Sequence, residues 1–246
     1  MKILFSVFIL SLCLCCEPSK IKESKKEGTD STKVVRSTYS NGKTKAEMPL
    51  KNGKKNGLSK SFDKNGNISL ELPYVDNLRE GKSKKYYEGG KQIYQTTEYK
   101  RDKMTGFQTK YRENGDVLSV ARYDNDLPCL DLKEYYKDNT LKNKYPKIKI
   151  TAIDRLDTEG VYLLKLSMSE KVRKVKYYTG KLSAGGCLNE DLYSVLLNES
   201  ENTGQLSYHL APGGFIMEEL NIIAVAETIY GNSYIAQTKH NLAIDN

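Results

Sequence analysis

The feature that most constrains this chain is a repeat. Aligning YSNGKTKAEMPLKNGKKNGLSKSF with FDKNGNISLELPYVDNLREGKSKKYY, YEGGKQIYQTTEYKRDKMTGFQTKYR and YRENGDVLSVARYDNDLPCLDLKEYY places Gly42, Gly66, Gly90 and Gly115 in register, a period of 24 to 25 residues. A second glycine series, Gly57, Gly81 and Gly106, keeps that spacing, as do the aromatics Phe62, Tyr86, Tyr111 and Tyr135. Residue classes that share one register over four units mark a repeat architecture. Within the second unit Ile68, Leu70, Leu72 and Tyr74 alternate with polar neighbours, which assigns them to one face of a strand. The recurrent glycines mark turns, where a positive φ costs them little. Each unit therefore predicts a two-stranded hairpin. Isolated hairpins are marginal in water, so the units must stack as an extended antiparallel meander.

The units resemble the bacterial variant of the MORN repeat, which reads like NGK…Y-x-NGKKDG-x-W-x-x-YY-x-NG. The matching residues are Asn41–Gly42–Lys43, Asn52–Gly53–Lys54–Lys55–Asn56–Gly57, and the ends at Phe62 and Tyr86–Tyr87. Ser59, Ser83 and Gln108 stand where that family has Trp, which weakens any expectation of an aromatic binding platform. Pro128 and Cys129 near the second glycine position make the fourth unit read as a degenerate cap, and Lys137–Tyr145 starts a fifth unit that loses the pattern. Two tyrosine series remain to be explained: Tyr74, Tyr99 and Tyr123 with the first strands, and Phe62, Tyr86, Tyr111 and Tyr135 with the second. They are either a ladder of rings for glycan or protein contact or a repeated core position, and the register favours the core.

Pro146 is a natural boundary, and beyond it the periodicity changes. Short apolar alternations at 148–153, 161–168, 172–178, 192–197, 206–210, 221–227 and 233–239 predict about seven strands, the pattern of an antiparallel sandwich. The residues Val225–Gly231 and Asn232–Thr238 resemble the last hairpin of bacterial immunoglobulin-like domains. The expected fold class is all-β: stacked MORN-like hairpins over 37–145, then an immunoglobulin-like β-sandwich over 146–246. A polar composition with 38% apolar residues, no Trp, and Tyr well ahead of Phe suits thin, half-exposed sheets.

The N-terminus reads differently. Lys2 precedes an apolar run from Ile3 to Leu14, then cysteines and an abrupt polar turn at Glu17–Pro18, which is the pattern of a signal peptide. The run of about 12 residues falls short of the ~20 that a membrane-spanning helix needs. Cys16, with the small Cys15 before it, resembles the lipidated cysteine of a bacterial lipoprotein; Cys15, with Leu12 three residues earlier, is the alternative. The resemblance implies a signal over 1–16 and anchorage to the cell envelope, at the outer membrane, periplasmic or surface face. Residues 17–36, rich in alternating charge and poor in apolar groups, read as a disordered tether spanning roughly 25 Å.

Two other cysteines remain, Cys129 and Cys187, one in each expected domain. Two isolated buried thiols are the expectation, with a disulfide the alternative that an oxidising compartment would permit. The net charge of +8 is spread along the repeats rather than gathered into a stripe, so no nucleic-acid partner is expected.

Chemistry is sparse. His209 and His240 fall in or beside strand-like stretches with no nucleophile elbow or zinc motif around them. Asp63–Lys64–Asn65–Gly66–Asn67 has its glycine at the fourth position rather than the sixth of a calcium loop, and Tyr74 where the twelfth-position acid belongs; it reads as a turn. Gly185–Gly186 and Gly213–Gly214 lack the lysine and helix of a phosphate cradle. No catalytic residue, metal or cofactor is expected. The chain reads as a non-enzymatic envelope binding protein whose partners are the membrane, through its lipid, and an unidentified protein or surface polymer. Many proteins with the variant repeat carry an antitoxin label, so an immunity-like role against an envelope toxin is the second reading, and an enzyme with an unrecognised site the third.

Overall fold

The computed structural model describes residues 31–198 and 201–246; the expected signal, Cys15, Cys16 and residues 17–30 lie outside the described residues. The repeat region forms one antiparallel sheet of twelve strands: β1 (Thr32–Thr38), β2 (Thr44–Lys51), β3 (Lys54–Lys55), β4 (Gly57–Phe62), β5 (Ile68–Val75), β6 (Leu78–Arg79), β7 (Gly81–Tyr86), β8 (Ile93–Lys100), β9 (Lys103–Tyr111), β10 (Val117–Asp124), β11 (Leu127–Pro128) and β12 (Lys133–Glu134). The long strands follow one another in chain order. Strand β1 takes in the last five residues assigned to the tether: Val34 and Val35 add just enough apolar and β-branched character to pair with Pro49 and Met48 of β2.

Two turn types alternate along the meander. Asn52–Gly53, Asp76–Asn77, Arg101–Asp102 and Asn125–Asp126 all have positive φ and close two-residue loops between paired strand ends, the turn whose twist matches that of the strands. At the other turn the amides of Gly42, Gly66, Gly90 and Gly115 bond the carbonyls of Tyr39, Asp63, Tyr87 and Arg112. The fifth unit keeps this turn although it loses the glycine. Asn139, at φ 63°, bonds the carbonyl of Tyr136, and Tyr135 bridges to Leu141. Asn tolerates the left-handed region, which is why the pattern vanishes in sequence and persists in structure.

Gly90 is the tightest of these positions. A Cβ there would lie 2.8 Å from the Ile68 carbonyl oxygen and 3.1 Å from the Asn67 Cβ, whereas one at Gly115 would meet nothing within 4 Å. Gly90→Ala is expected to cost about 2 kcal/mol or more, combining clash with left-handed strain. Gly115→Ala is expected to cost only the strain, and a larger loss at Gly115 than at Gly90 in urea denaturation would contradict this assignment.

Beyond the repeats lie β13 (Ile148–Arg155), one short helix α1 (Leu156–Glu159), β14 (Val161–Met168), β15 (Val175–Thr179), β16 (Tyr193–Ser194), β17 (Leu196–Asn198), β18 (Thr203–His209), β19 (Phe215–Glu227) and β20 (Ser233–Asp245). They build two four-stranded antiparallel sheets, in the orders β13-β14-β18-β17 and β16-β15-β19-β20. The sheets share one core, with Leu164 and Leu166 from the first and Val175, Tyr177, Ile222, Ala224 and Leu242 from the second. Strands β19 and β20, at thirteen residues each, run well beyond the seven-residue alternations seen in sequence. Glu218, Glu219, Asn241 and Asp245 interrupt the apolar pattern there. Backbone pairing between β19 and β20 carries the strands through regardless. Repeat sheet and C-terminal sheets belong to one compact unit, Ser31–Asn246.

Candidate functional site

The two tyrosine series are cross-strand pairs. Tyr74, Tyr99 and Tyr123 stand directly opposite Gly57, Gly81 and Gly106, pairing an aromatic with a glycine in each unit. Phe62, Tyr86 and Tyr111 stand opposite Ile68, Ile93 and Val117, aromatic against β-branched, and Tyr135 opposite Leu141. All seven rings are half-buried. Two of them are also covered by a cation: Lys55 Nζ lies 5.1 Å from the Tyr74 centroid and the Arg79 guanidinium 4.3 Å from that of Tyr99. Tyr123 is packed into the C-terminal sheets, where burial pushes its hydroxyl pKa up while a hydrogen bond to Ser233 pulls it down. The rings knit strands together, and the cations over Tyr74 and Tyr99 occupy positions a stacked ligand would need.

A second ladder joins one unit to the next. Asn77, Asp102 and Asp126 donate their amides to the carbonyls of Lys55, Arg79 and Met104, and their side-chain oxygens accept from the amides of those same residues at 2.8 Å. At the turn ends, Tyr39 Oη donates to the Phe62 carbonyl, Tyr87 Oη to that of Tyr111, and Arg112 Nη2 to that of Tyr135. Asp63 holds the equivalent place in the second unit. A carboxylate cannot donate to a carbonyl, and it instead accepts from Asn65 and Asn67 inside its own loop. This loop is a turn with its acid already occupied.

Asp102 also binds Arg79 Nε at 2.9 Å, and the bonds from the Arg79 backbone and side chain hold its carboxyl below the usual carboxylate range. A depressed carboxyl stabilises the fold above its unfolded pKa, near 3.9, and that contribution is lost as pH falls through the folded value. Asp102→Asn reproduces what Asn77 does one unit earlier. It is expected to leave neutral-pH stability little changed and to flatten the acid limb of a urea-midpoint against pH profile; an unchanged acid limb would remove Asp102 from the clamp.

The largest cluster of buried polar groups lies where the repeat sheet meets the C-terminal sheets. The turn Thr228–Asn232 between β19 and β20 repeats the glycine turn of the units, with Gly231 bonding the Thr228 carbonyl. It docks against β9, β10 and β12. Lys110, nearly inaccessible, donates to the carbonyls of Tyr230 at 2.9 Å and Gly231 at 3.1 Å, and burial lowers its pKa. Glu134 is fully buried; its Oε1 accepts from Thr228 Oγ1 at 2.5 Å and Asn232 Nδ2 at 2.8 Å, and its Oε2 from Lys142 Nζ at 3.2 Å. Ser119 Oγ bonds Asn232 Oδ1. Lys142 also lies over Tyr145, which stacks on Tyr234 with centroids 4.5 Å apart. Every polar atom of Glu134 and Lys110 is engaged with protein, so these charges join two layers rather than wait for a substrate.

A disulfide joins the layers a second time. Cys129, after β11, is bonded to Cys187, which corrects the expectation of isolated thiols. Spacing could not reveal the pair, because 58 residues separate the two cysteines and the backbone brings them together as an antiparallel bridge. Arg122 fastens the same corner, binding Asp131, the Gly185 carbonyl and Cys187 Sγ. A hollow of about 460 Å³ opens beside it, lined by Leu130, Lys181, Ser183, Asn221, Gln237 and Lys239 among others. His209 and His240 lie on β18 and β20, and among the described residues no cluster of three or more His, Cys, Asp or Glu could hold a metal ion. The junction left no mark on the periodic pattern. Glu134, Lys110, Thr228 and Asn232 were missed in sequence because partners 94 to 121 residues apart share no local motif.

Comparison with known proteins adds one family. Residues 55–76 match the MORN repeat variant. The match covers Lys55 to the Asp76 turn, one unit of the meander. A search of the curated proteins finds no match. Among solved structures, the chain has a slight likeness to the extracellular domain of the one-component system BT4673 from B. thetaiotaomicron, at 10% identity and a TM-score of 0.21. It covers 82% of this chain and 30% of that one, and a likeness this slight assigns neither fold nor function.

Proposed function

We propose that this chain is a lipid-anchored envelope protein that binds rather than catalyses, held to a membrane through Cys16, or Cys15, and presenting a repeat module and an immunoglobulin-like module to a protein or surface polymer. The observation that carries the reading is the Cys129–Cys187 disulfide, since such bonds persist in exported proteins and are rare in a reducing cytosol. It agrees with the signal-like N-terminus while being independent of it. The immunoglobulin-like assignment draws support from strand order. Taking β13 to β20 as A, B, C, C′, D, E, F and G, the two sheets read A-B-E-D and C′-C-F-G, the arrangement of such domains.

Mass spectrometry of the mature N-terminus with metabolic palmitate labelling tests the anchor. A diacylated cysteine at 16 or 15 is expected, with label lost on substituting it by serine; an unmodified chain starting after Cys16 would overturn it.

A further inference from the structure

Strand β19 is flanked on only part of its length. Its thirteen residues pair with β20 throughout, but β15 pairs only with Ile222–Ala226, after which Gly180 bonds the Asn221 carbonyl and the line ends. In a regular strand the backbone groups of alternate residues point to the same side. Those of Phe215, Met217 and Glu219 therefore point, like Asn221, to the side that β15 has left, and none has a backbone partner there among the described residues.

Exposed sheet edges are usually kept short or guarded by cations. Here β16 and β17 are two and three residues long, while the outer strands β1, β13 and β20 carry Lys33 and Arg36, Lys149 and Arg155, and Lys239. The open stretch of β19 has no cation. It bears Phe215 and Met217, at 78% and 79% the two most exposed large apolar side chains among the described residues, followed by Glu218 and Glu219. Asp245 stands opposite Phe215, and one cation, Lys239, binds Glu219 at 2.8 Å. On a chain whose net charge is +8, this is a local acidic and apolar edge.

We propose that the open edge of β19 at Phe215–Glu219 is a docking site for an extended peptide segment of alternating apolar and basic residues, added as a strand in line with β15. The ladder supplies main-chain hydrogen bonds, Phe215 and Met217 supply apolar contact on one face of the added strand, and Glu218, which also bonds the Tyr208 hydroxyl, supplies a carboxylate for the basic residues on the other. The site stands whether or not the chain is lipidated.

The test uses the full chain and a fluorescein-labelled peptide of alternating lysine and valine, read by anisotropy. Comparison peptides replace lysine with glutamate, or carry N-methyl groups that abolish backbone pairing. Met217→Pro removes an N–H that faces the open side and leaves the β20 ladder intact; Phe215→Ser keeps the backbone and removes the apolar contact, so it answers if the proline variant fails to fold. Binding of the lysine peptide is expected, weakened about tenfold by Met217→Pro, by Phe215→Ser and by N-methylation, for loss of a hydrogen bond or contact worth roughly 1.4 kcal/mol. No binding, or equal binding by the N-methylated peptide, would overturn the site. A concentration-dependent dimer dissolved by Met217→Pro would overturn the peptide occupant in favour of a second copy of this chain.

Discussion

Replacing Cys129 and Cys187 with serine is expected to lower unfolding stability by about 4 kcal/mol, the chain-entropy value for cutting a closed loop of 58 residues. The effect is large because the loop spans the end of the repeats and the first half of the C-terminal sheets, so its loss frees both in the unfolded state. The side chains are almost inaccessible, at 2% exposure each, and Arg122 is fixed to the same corner, so local repacking compensates little. Urea unfolding of the double variant beside the parent, and of the parent with and without reductant, checks it. Equal midpoints in all three measurements would show that the bond adds nothing to the junction.

Glu134→Ala is expected to cost about 3 to 5 kcal/mol, the range for removing one partner of a buried ion pair. The substitution strips the acceptor from Thr228, Asn232 and Lys142 at once and leaves an ammonium beside a cavity. Removing the charge from both partners should be milder: Glu134→Gln with Lys142→Met keeps an acceptor for the turn and abandons the ion pair, and should recover part of the loss. If the single and double variants unfolded at the same urea concentration, the unpaired Lys142 ammonium would not be the source of the cost. Lys142 also covers Tyr145, so the double variant gives up that cation–ring contact together with the ion pair.

The repeat half of the fold was legible because its determinants are local. Gly42, Gly66, Gly90 and Gly115 sit at turns whose hydrogen bonds close within three residues, and a period of 24 to 25 residues is visible without knowing what pairs with what. What the sequence withheld was the relation between its own registers. Gly57, Gly81 and Gly106 and the tyrosines at 74, 99 and 123 form separate series in the chain and single pairs in the sheet. The fifth unit disappeared because Asn139 does the work of a glycine, and the tether was drawn five residues too long because Val34 and Val35 lie among charges. The junction was beyond reach for a different reason. A buried lysine, a buried glutamate and two cysteines look ordinary until distant strands meet, and no periodicity encodes that meeting.

The docking of Thr228–Asn232 onto the repeats also sets an order of events. A chain made from its N-terminus presents Lys110 and Glu134 long before the turn that will cover them, about a hundred residues later in each case. Until then the last repeats hold two charges without their final partners, and Cys129 waits for Cys187. The stack can grow unit by unit through its local clamps, but its far end closes only when the final hairpin arrives. A chain truncated before Thr228 is therefore not a shorter version of this protein, but one with an unfinished end open to proteases and chaperones.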